Sequence, residues 1–218
     1  MKLYYSPGAC SMAIHIALRE LKYKFDLERV DLAAKKTETG EDFLAINPKG
    51  YVPTLKLDDG TVMTEASVIL QYLADQKPRR GLAPKPRTPE RYKLMEWLSF
   101  TATEIHKGIS DFYNPKLTPE WREAKLERLN RRLNYLNSAL GSNEYVMGEF
   151  SIADPYLFTV LNWTKKHNID LTSYPNIQSY IQRMTERNTV KKTMKAEGLT
   201  KRGLLVKRES GIVNRKSC

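Results

Sequence analysis

Gln76 to Thr88 reads QKPRRGLAPKPRT, with three prolines, one glycine and no apolar periodicity. Proline lacks an amide hydrogen and fixes φ, so this stretch continues neither a helix nor a strand. It reads as a linker, and the chain differs on its two sides. Upstream, short strand signals alternate with helical ones. Lys2 to Tyr5 is β-favourable, and a Ser6-Pro7-Gly8 turn leads into a helix over Cys10 to Leu21, with Ile14, Ala17, Leu18 and Leu21 at helical spacing. Phe25 to Val30 reads as a second strand. Thr54 to Leu57 and Thr61 to Met63 flank Asp58-Asp59-Gly60, whose residues tolerate positive φ, so this is a hairpin. Glu65 to Ala74 carries Val68, Ile69, Tyr72 and Leu73 on one side, as a helix does. The order is βαβ, a loop region, then ββα.

Downstream, the pattern is helical. Thr88-Pro89 and Thr118-Pro119 each set a capping hydroxyl before a proline at the first helical position, opening helices over 89–113 and 119–140. In the second, Leu126, Leu129, Leu133, Leu136 and Leu140 form a packing seam. Ser151-Ile-Ala-Asp154 resembles a capping box with Asp in place of Glu, and a helix over Tyr156 to Lys166 follows. Two more helices are predicted over Asn176 to Arg187 and Thr189 to Ala196. The expected class is α/β plus all-α: an α/β domain over 1–80, a linker over 81–88, an all-helical domain over 89–200 and a basic tail over 201–218.

The 218 residues carry 36 Lys+Arg against 25 Asp+Glu, a formal +11, with 41% hydrophobic residues. That balance is ordinary for a globular chain and excludes fibrous and disordered classes. Residues 1–80 are nearly neutral. Much of the excess lies in the last stretch, in Lys201, Arg202, Lys207, Arg208, Arg215 and Lys216, and the rest is spread over amphipathic helices without a recognition motif, so nucleic acid is not the expected partner. The two cysteines, Cys10 and Cys218, are too few for a disulfide framework and suit a reducing compartment. With no signal-peptide pattern and no apolar run long enough to span a bilayer, the expected address is the cytoplasm, away from membranes.

Cys10 follows a Pro-Gly turn at the first turn of a predicted helix, where backbone N–H groups and the helix dipole favour an anion and lower a thiol's pKa. Position 13 is Ala, so no CxxC dithiol cycle is available and any redox cycle needs a thiol from solution. Val52-Pro53 directly precedes a strand; a cis proline there would turn the Val52 N–H and C=O outward to pair with an extended, peptide-like ligand. Ser99, Ala102 and His106 fall on one face of the first helix after the linker. No Gly-rich phosphate loop or metal-ligand spacing occurs, so neither nucleotide nor metal is expected.

MKLYYSPGACS at the start, INPKGYVP, LDDG followed by TEA, and EWLSFTATEIHKG and SIADPYLF after the linker together resemble the bacterial beta-class glutathione transferases over about residues 1–200. The resemblance implies a thioredoxin-like N-terminal domain, a helical C-terminal domain and a homodimer. It implies glutathione as co-substrate, with Cys10 beside its sulfur and able to form a mixed disulfide. Val52 and cis Pro53 are implied at its backbone, Lys35 at its glycyl end, Glu65 with position 66 at its γ-glutamyl group, and Ala9 among its contacts. Position 66 is Ala where relatives often carry Ser, so only its backbone N–H can serve. Position 99 is Ser where relatives often carry Asn. His106 is implied near the cysteine, Lys107 as positive potential for the anionic tripeptide, and Glu104 at the neighbouring subunit's site. Tyr5 and Ser11 are further candidates, because other transferase classes activate glutathione with a hydroxyl from this region. The expected activity is conjugation of the glutathione thiolate to hydrophobic electrophiles, with thiol–disulfide exchange through Cys10. The alternative is a non-catalytic carrier of hydrophobic anions.

Overall fold

Leu3, Tyr4 and Tyr5 alternate across a strand and are buried on both of its faces, which places Lys2–Tyr5 (β1) in the middle of a sheet. The computed structural model describes residues 1–199; the predicted basic tail and Cys218 lie outside the described residues. β1 pairs in parallel with Asp26–Asp31 (β2) and antiparallel with Thr54–Lys56 (β4), with Leu3 opposite both Leu27 and Leu55. Lys36–Thr37 (β3) and Val62–Thr64 (β5) complete the order β3-β2-β1-β4-β5. Ser11–Glu20 (α1) and Ala66–Asp75 (α3) share the core that takes Leu3 and Tyr5. Tyr4 faces the other way, into a small cluster with Val30, Val52 and Phe43 of Phe43–Ile46 (α2).

The predicted loop region thus contains β3 and α2. Two and four residues are too few to produce a periodic signal, and α2 is fixed by other means: Asp42 accepts the Leu44 N–H at 3.0 Å, and Phe43 anchors under the sheet.

Beyond a short 3₁₀ turn at Pro78–Arg80 lie Pro89–Phe100 (α4), Lys107–Ser110 (α5), Pro119–Leu140 (α6), Ala153–Leu161 (α7), Trp163–Lys166 (α8), Pro175–Glu186 (α9) and Asn188–Ala196 (α10). Thr88 and Thr118 cap as their sequence predicts, accepting the N–H of Arg91 and Trp121. The rod predicted over 89–113 is not uniformly α: Thr101–His106 winds as π-helix between α4 and α5, and Asp111–Tyr113 closes it as 3₁₀. The helix predicted over 156–166 starts earlier and is divided at Asn162 into α7 and α8. Asp154 accepts the Ser151 N–H at 2.7 Å, the reciprocal half of the predicted capping box.

α1 is buried along its length from Ser11 to Leu18, because α3 covers one side and α7 and α10 the other. One apolar cluster runs from Leu3 through the helical unit to Val190. The seam is fastened by a bidentate fork from Arg91 to Asp75, at 2.6 and 2.8 Å. A buried polar chain crosses it as well. Arg19 Nε donates to His15 Nε2 at 3.0 Å, so the ring proton sits on Nδ1 and is donated to Glu197 Oε1 at 2.8 Å. Glu197 Oε2 accepts the Gly8 N–H at 2.8 Å.

Candidate active site

The residues that follow β1 and β2, those just before β4 and those at the starts of α1 and α3 face the π segment and α7–α8 across a cleft of about 560 Å³. Its sheet-side wall is built of turns. Gly8 is held by Glu197 through its N–H and by Trp163, whose Nε1 donates to the Gly8 carbonyl at 2.8 Å. Gly8 adopts φ +71°, which a side chain rarely tolerates, and Leu199 lies where a Cβ would point. Two residues on, the Cys10 thiol donates to the Val52 carbonyl at 3.0 Å.

The setting of the thiol runs against the expectation of a lowered pKa. Burial pushes the Cys10 thiol up to about 12, and the N–H groups of Cys10 and Ser11 at the helix start only partly oppose it. Ligand-free Cys10 is therefore a thiol at neutral pH. The Val52-Pro53 bond is cis, and both residues line the cleft beside it.

Glu65 stands before α3 with φ +69°, a strained backbone for a residue with a side chain. Its Oε1 accepts from Lys49 Nζ and from the Tyr51 hydroxyl, each at 2.8 Å. Those two hydrogen bonds, the lysine's first, hold the carboxyl below its ordinary range, so it is an anion at neutral pH. Ala66, its neighbour in the cleft, opens α3, where first-turn N–H groups have no intrahelical partner.

The helical wall is aromatic. His106 ends the π segment, its Nδ1 2.7 Å from the Tyr156 hydroxyl and its ring edge-on to Trp163, with centroids 4.8 Å apart. Burial first, then the charge of Lys107, lowers its pKa to about 4, so the imidazole is neutral under ordinary conditions. It cannot stabilise a thiolate as a cation. Tyr113 continues the wall edge-on to Trp163, with Lys166 Nζ 4.5 Å from its ring centre.

Of the candidate residues, Ala9, Cys10, Val52, Pro53, Glu65, Ala66, His106 and Lys107 meet in this cleft. Four do not line it. Tyr5 is in the core, its ring 6.3 Å from that of His15. The Ser11 hydroxyl is fully buried and closes the turn onto Ser6, accepting its N–H at 3.2 Å. Lys35 donates to the Gly50 carbonyl at 2.7 Å. Glu104 is engaged by Arg132 on a separate groove lined by Trp97, Phe100 and Tyr135. The predicted face of Ser99, Ala102 and His106 is also altered: Ala102 and His106 line the cleft, whereas Ser99 is exposed, because π winding advances the chain by a different angle per residue.

Sequence reasoning missed Tyr51, Tyr113, Tyr156, Trp163 and Lys166. A signal existed for most of them. His106, Ser110 and Tyr113 step by four and three, and Tyr156, Trp163 and Lys166 by seven and three, each set on one helical face. Among the described residues, no group of histidine, cysteine or acidic side chains has the spacing of a metal site, and no helix is long and apolar enough to cross a membrane.

Comparison with known proteins agrees with this geometry. Residues 8–76 match the family model of the glutathione S-transferase N-terminal domain, and residues 100–188 that of the C-terminal domain. Glutathione S-transferase GstA of Escherichia coli O157:H7 is 46% identical over 200 residues, covering 91% of this chain and 100% of the relative. The bacterial beta-class glutathione S-transferase of Sphingomonas chungbukensis is 47% identical with a TM-score of 0.87, over 91% of this chain and 100% of that one. A sphingomonad glutathione S-transferase complexed with glutathione is 44% identical over the same shares, also with a TM-score of 0.87. On these matches, carried across both the sheet unit and the helical unit, the chain belongs to the glutathione S-transferase family, among its bacterial beta-class members.

Proposed function

We propose that the transferase binds glutathione along the sheet-side wall and a hydrophobic electrophile against the aromatic wall, and joins them in the cleft. The observation that carries this reading is that one cleft sets an anionic Glu65, a helix start at Ala66 and the Val52 backbone opposite Lys107, His106, Tyr113 and Trp163. Glu65 suits the γ-glutamyl ammonium, the α3 N–H groups its carboxylate, and Val52 the cysteinyl backbone. Lys107 supports the net negative charge, and Lys35, beside Gly50, is assigned to the glycyl end. In the reaction the glutathione sulfur gives an electron pair to the electrophilic carbon, the leaving group departs with the bonding pair, and the thiol proton goes to water.

A second chemistry belongs to Cys10. Deprotonated, its sulfur attacks a disulfide, releases one half as a thiolate and keeps the other as a mixed disulfide, which a glutathione thiolate then resolves. The Cys10 sulfur in the cleft supports this; its high pKa makes the exchange slow at neutral pH and faster in alkali. Tyr5 and Ser11 serve this reading as supports of the loop, not as activators.

The functional unit is proposed to be a cytoplasmic homodimer of two-domain subunits, with residues 1–80 and 89–200 joined by 81–88. The groove of Trp97, Phe100 and Tyr135 is assigned to the partner subunit, and Glu104 to the partner's site. Titration calorimetry with glutathione, together with turnover of 1-chloro-2,4-dinitrobenzene by the wild type and Cys10→Ala, tests the reading. Binding and turnover are expected, with conjugation surviving in Cys10→Ala and disulfide reduction lost. Binding of hydrophobic anions without turnover would favour the carrier instead.

A further inference from the structure

We propose that the cleft favours aromatic electrophiles that carry a carboxylate, and that Lys166 is the residue that selects for the carboxylate. The reaction rests on the glutathione reading above; the preference for an anion rests on the charges of the cleft itself. Among the described residues the charged side chains lining it are Glu65, Lys107 and Lys166. Glu65 already has a cation, Lys49 Nζ at 2.8 Å, so that pair is close to neutral. Lys2, Lys49, Lys93 and Lys125 are ion-paired, whereas neither Lys107 nor Lys166 has an acidic partner among the described residues. The cleft therefore presents two positive charges that the protein does not offset.

Glutathione accounts for one of them. Its γ-glutamyl end is a zwitterion, its glycyl carboxylate is assigned to Lys35, and its remaining negative charge develops on the sulfur. Lys107 serves that end of the cleft, because its charge acts on Cys10 and on His106. The charge of Lys166 acts instead on His167, whose ring packs on Tyr113 with centroids 4.1 Å apart. The Lys166 ammonium lies 4.5 Å from the centre of the Tyr113 ring, and Tyr113 stands edge-on to Trp163. An aromatic surface with a cation at its edge complements an aromatic ring with an anionic substituent: the ring buries its area against Tyr113 and Trp163, and the carboxylate exchanges a cation–π contact for a full opposite charge. A cationic electrophile would meet two like charges instead. In the reaction the glutathione sulfur forms the bond to the ring carbon, a chloride leaves with the bonding pair, the thiol proton goes to water and the carboxylate is unchanged. In bulk water an anionic thiolate and an anionic electrophile repel each other; here Lys107 and Lys166 each offset one of the two charges.

The experiment measures kcat/KM with glutathione for 4-chloro-3,5-dinitrobenzoate and for its methyl ester, and reads the acid-to-ester ratio. The intrinsic reactivities of the two compounds cancel when that ratio is compared between variants. Lys166→Met is expected to lower the ratio by about threefold to fivefold, as for a pair at an exposed margin, and Lys166→Glu by about tenfold or more; Lys166→Arg keeps it near the wild-type value. Raising salt from about 20 to about 300 mM lowers the wild-type ratio more steeply than that of Lys166→Met. Lys165, the exposed neighbour that does not line the cleft, is the control for the general positive field. A ratio unchanged in Lys166→Met, or lowered as much in Lys165→Met, overturns the assignment. So does a Lys166→Met protein that loses affinity for glutathione while keeping the ratio, which would give the lysine to the tripeptide. Wild-type protein that conjugates neither compound defeats the functional reading instead. The affinities of the unreactive 3,5-dinitrobenzoate and its methyl ester, followed by quenching of tryptophan fluorescence, then decide the role of Lys166 by the same ratio.

Discussion

The two walls of the cleft are made by different physics. The sheet-side wall is backbone and one carboxylate: tight turns at Gly8 and Glu65, a carbonyl at Val52 and a helix start at Ala66. The helical wall is side-chain surface, with aromatic rings meeting edge to face around His106 and two lysines at their margin. A backbone wall reads one fixed pattern of donors and acceptors, as suits a single peptide co-substrate. An aromatic wall reads shape and polarisability, as suits a range of electrophiles. The walls have one property in common: neither Cys10 nor His106 is charged at neutral pH, so the charge in the cleft resides on Glu65 and the lysines.

The two walls are held to each other at the seam. Glu197 comes from the helical unit and holds Gly8 of the other wall, with no exposure on its own side chain or on that of His15. Glu197→Ala leaves the His15 and Gly8 donors unpaired, at about 1–3 kcal/mol for each, and it is expected to lower unfolding free energy by about 2–6 kcal/mol. Urea denaturation measures this; an unchanged midpoint would mean that the apolar cluster alone joins the units. Glu197→Gln can still accept from Gly8 but meets His15 Nδ1–H with a donor or loses it, so it falls between.

Cys10 tests whether the sheet-side wall buries its thiol as firmly as its hydrogen bond suggests. A thiol raised from 9 to about 12 has roughly a thousandfold less thiolate at pH 7 than an ordinary one. Alkylation of ligand-free protein by iodoacetamide is expected to be slow at pH 7 and to rise about tenfold per pH unit through pH 10, because the raised pKa leaves the whole of that range below the midpoint. A plateau near pH 8.5 would show an accessible, ordinary thiol. In Glu197→Ala, where Gly8 is released, the same reaction is expected to speed up.

The walls also differ in how far the sequence discloses them. β1 runs straight through the Pro-Gly turn to Cys10, and the Asp-Asp-Gly hairpin is likewise short-range, so local turn chemistry fixes each of them, and the helix over Pro119–Leu140 is bounded by its own Thr-Pro cap. Of the nine candidates in the sheet unit, Ala9, Cys10, Val52, Pro53, Glu65 and Ala66 line the cleft, whereas Tyr5, Ser11 and Lys35 do not. The helical wall is assembled from positions some fifty residues apart, and its key departure, π winding over Thr101–His106, has no signature in composition. Tertiary packing decides it, and with it which of Ser99, Ala102 and His106 reaches the cleft. The same holds for Cys10: a helix start argues for a low pKa, but its burial is supplied by distant residues, and burial is the larger effect.

Within the sheet-side wall, Glu65 and Lys49 are expected to act in opposite directions. Glu65→Gln removes the anion that meets an ammonium, and a charged hydrogen bond of this kind is worth about 1.5–3 kcal/mol, so glutathione affinity by calorimetry is expected to fall by roughly tenfold to a hundredfold. Affinity unchanged in this variant would move the γ-glutamyl group to another part of the cleft. Lys49 gives the smaller effect. Its ammonium already occupies Glu65 Oε1, but both partners are about half exposed, and exposed pairs contribute at most about 1 kcal/mol. A ligand ammonium must share or displace it. Lys49→Met is therefore expected to tighten glutathione binding by a few-fold at low ionic strength, with the gain fading as salt screens the pair in the wild type. Weaker binding in Lys49→Met would reverse the assignment, making the lysine a partner of the tripeptide's carboxylate, and the sheet-side wall would then read charge at two points instead of one.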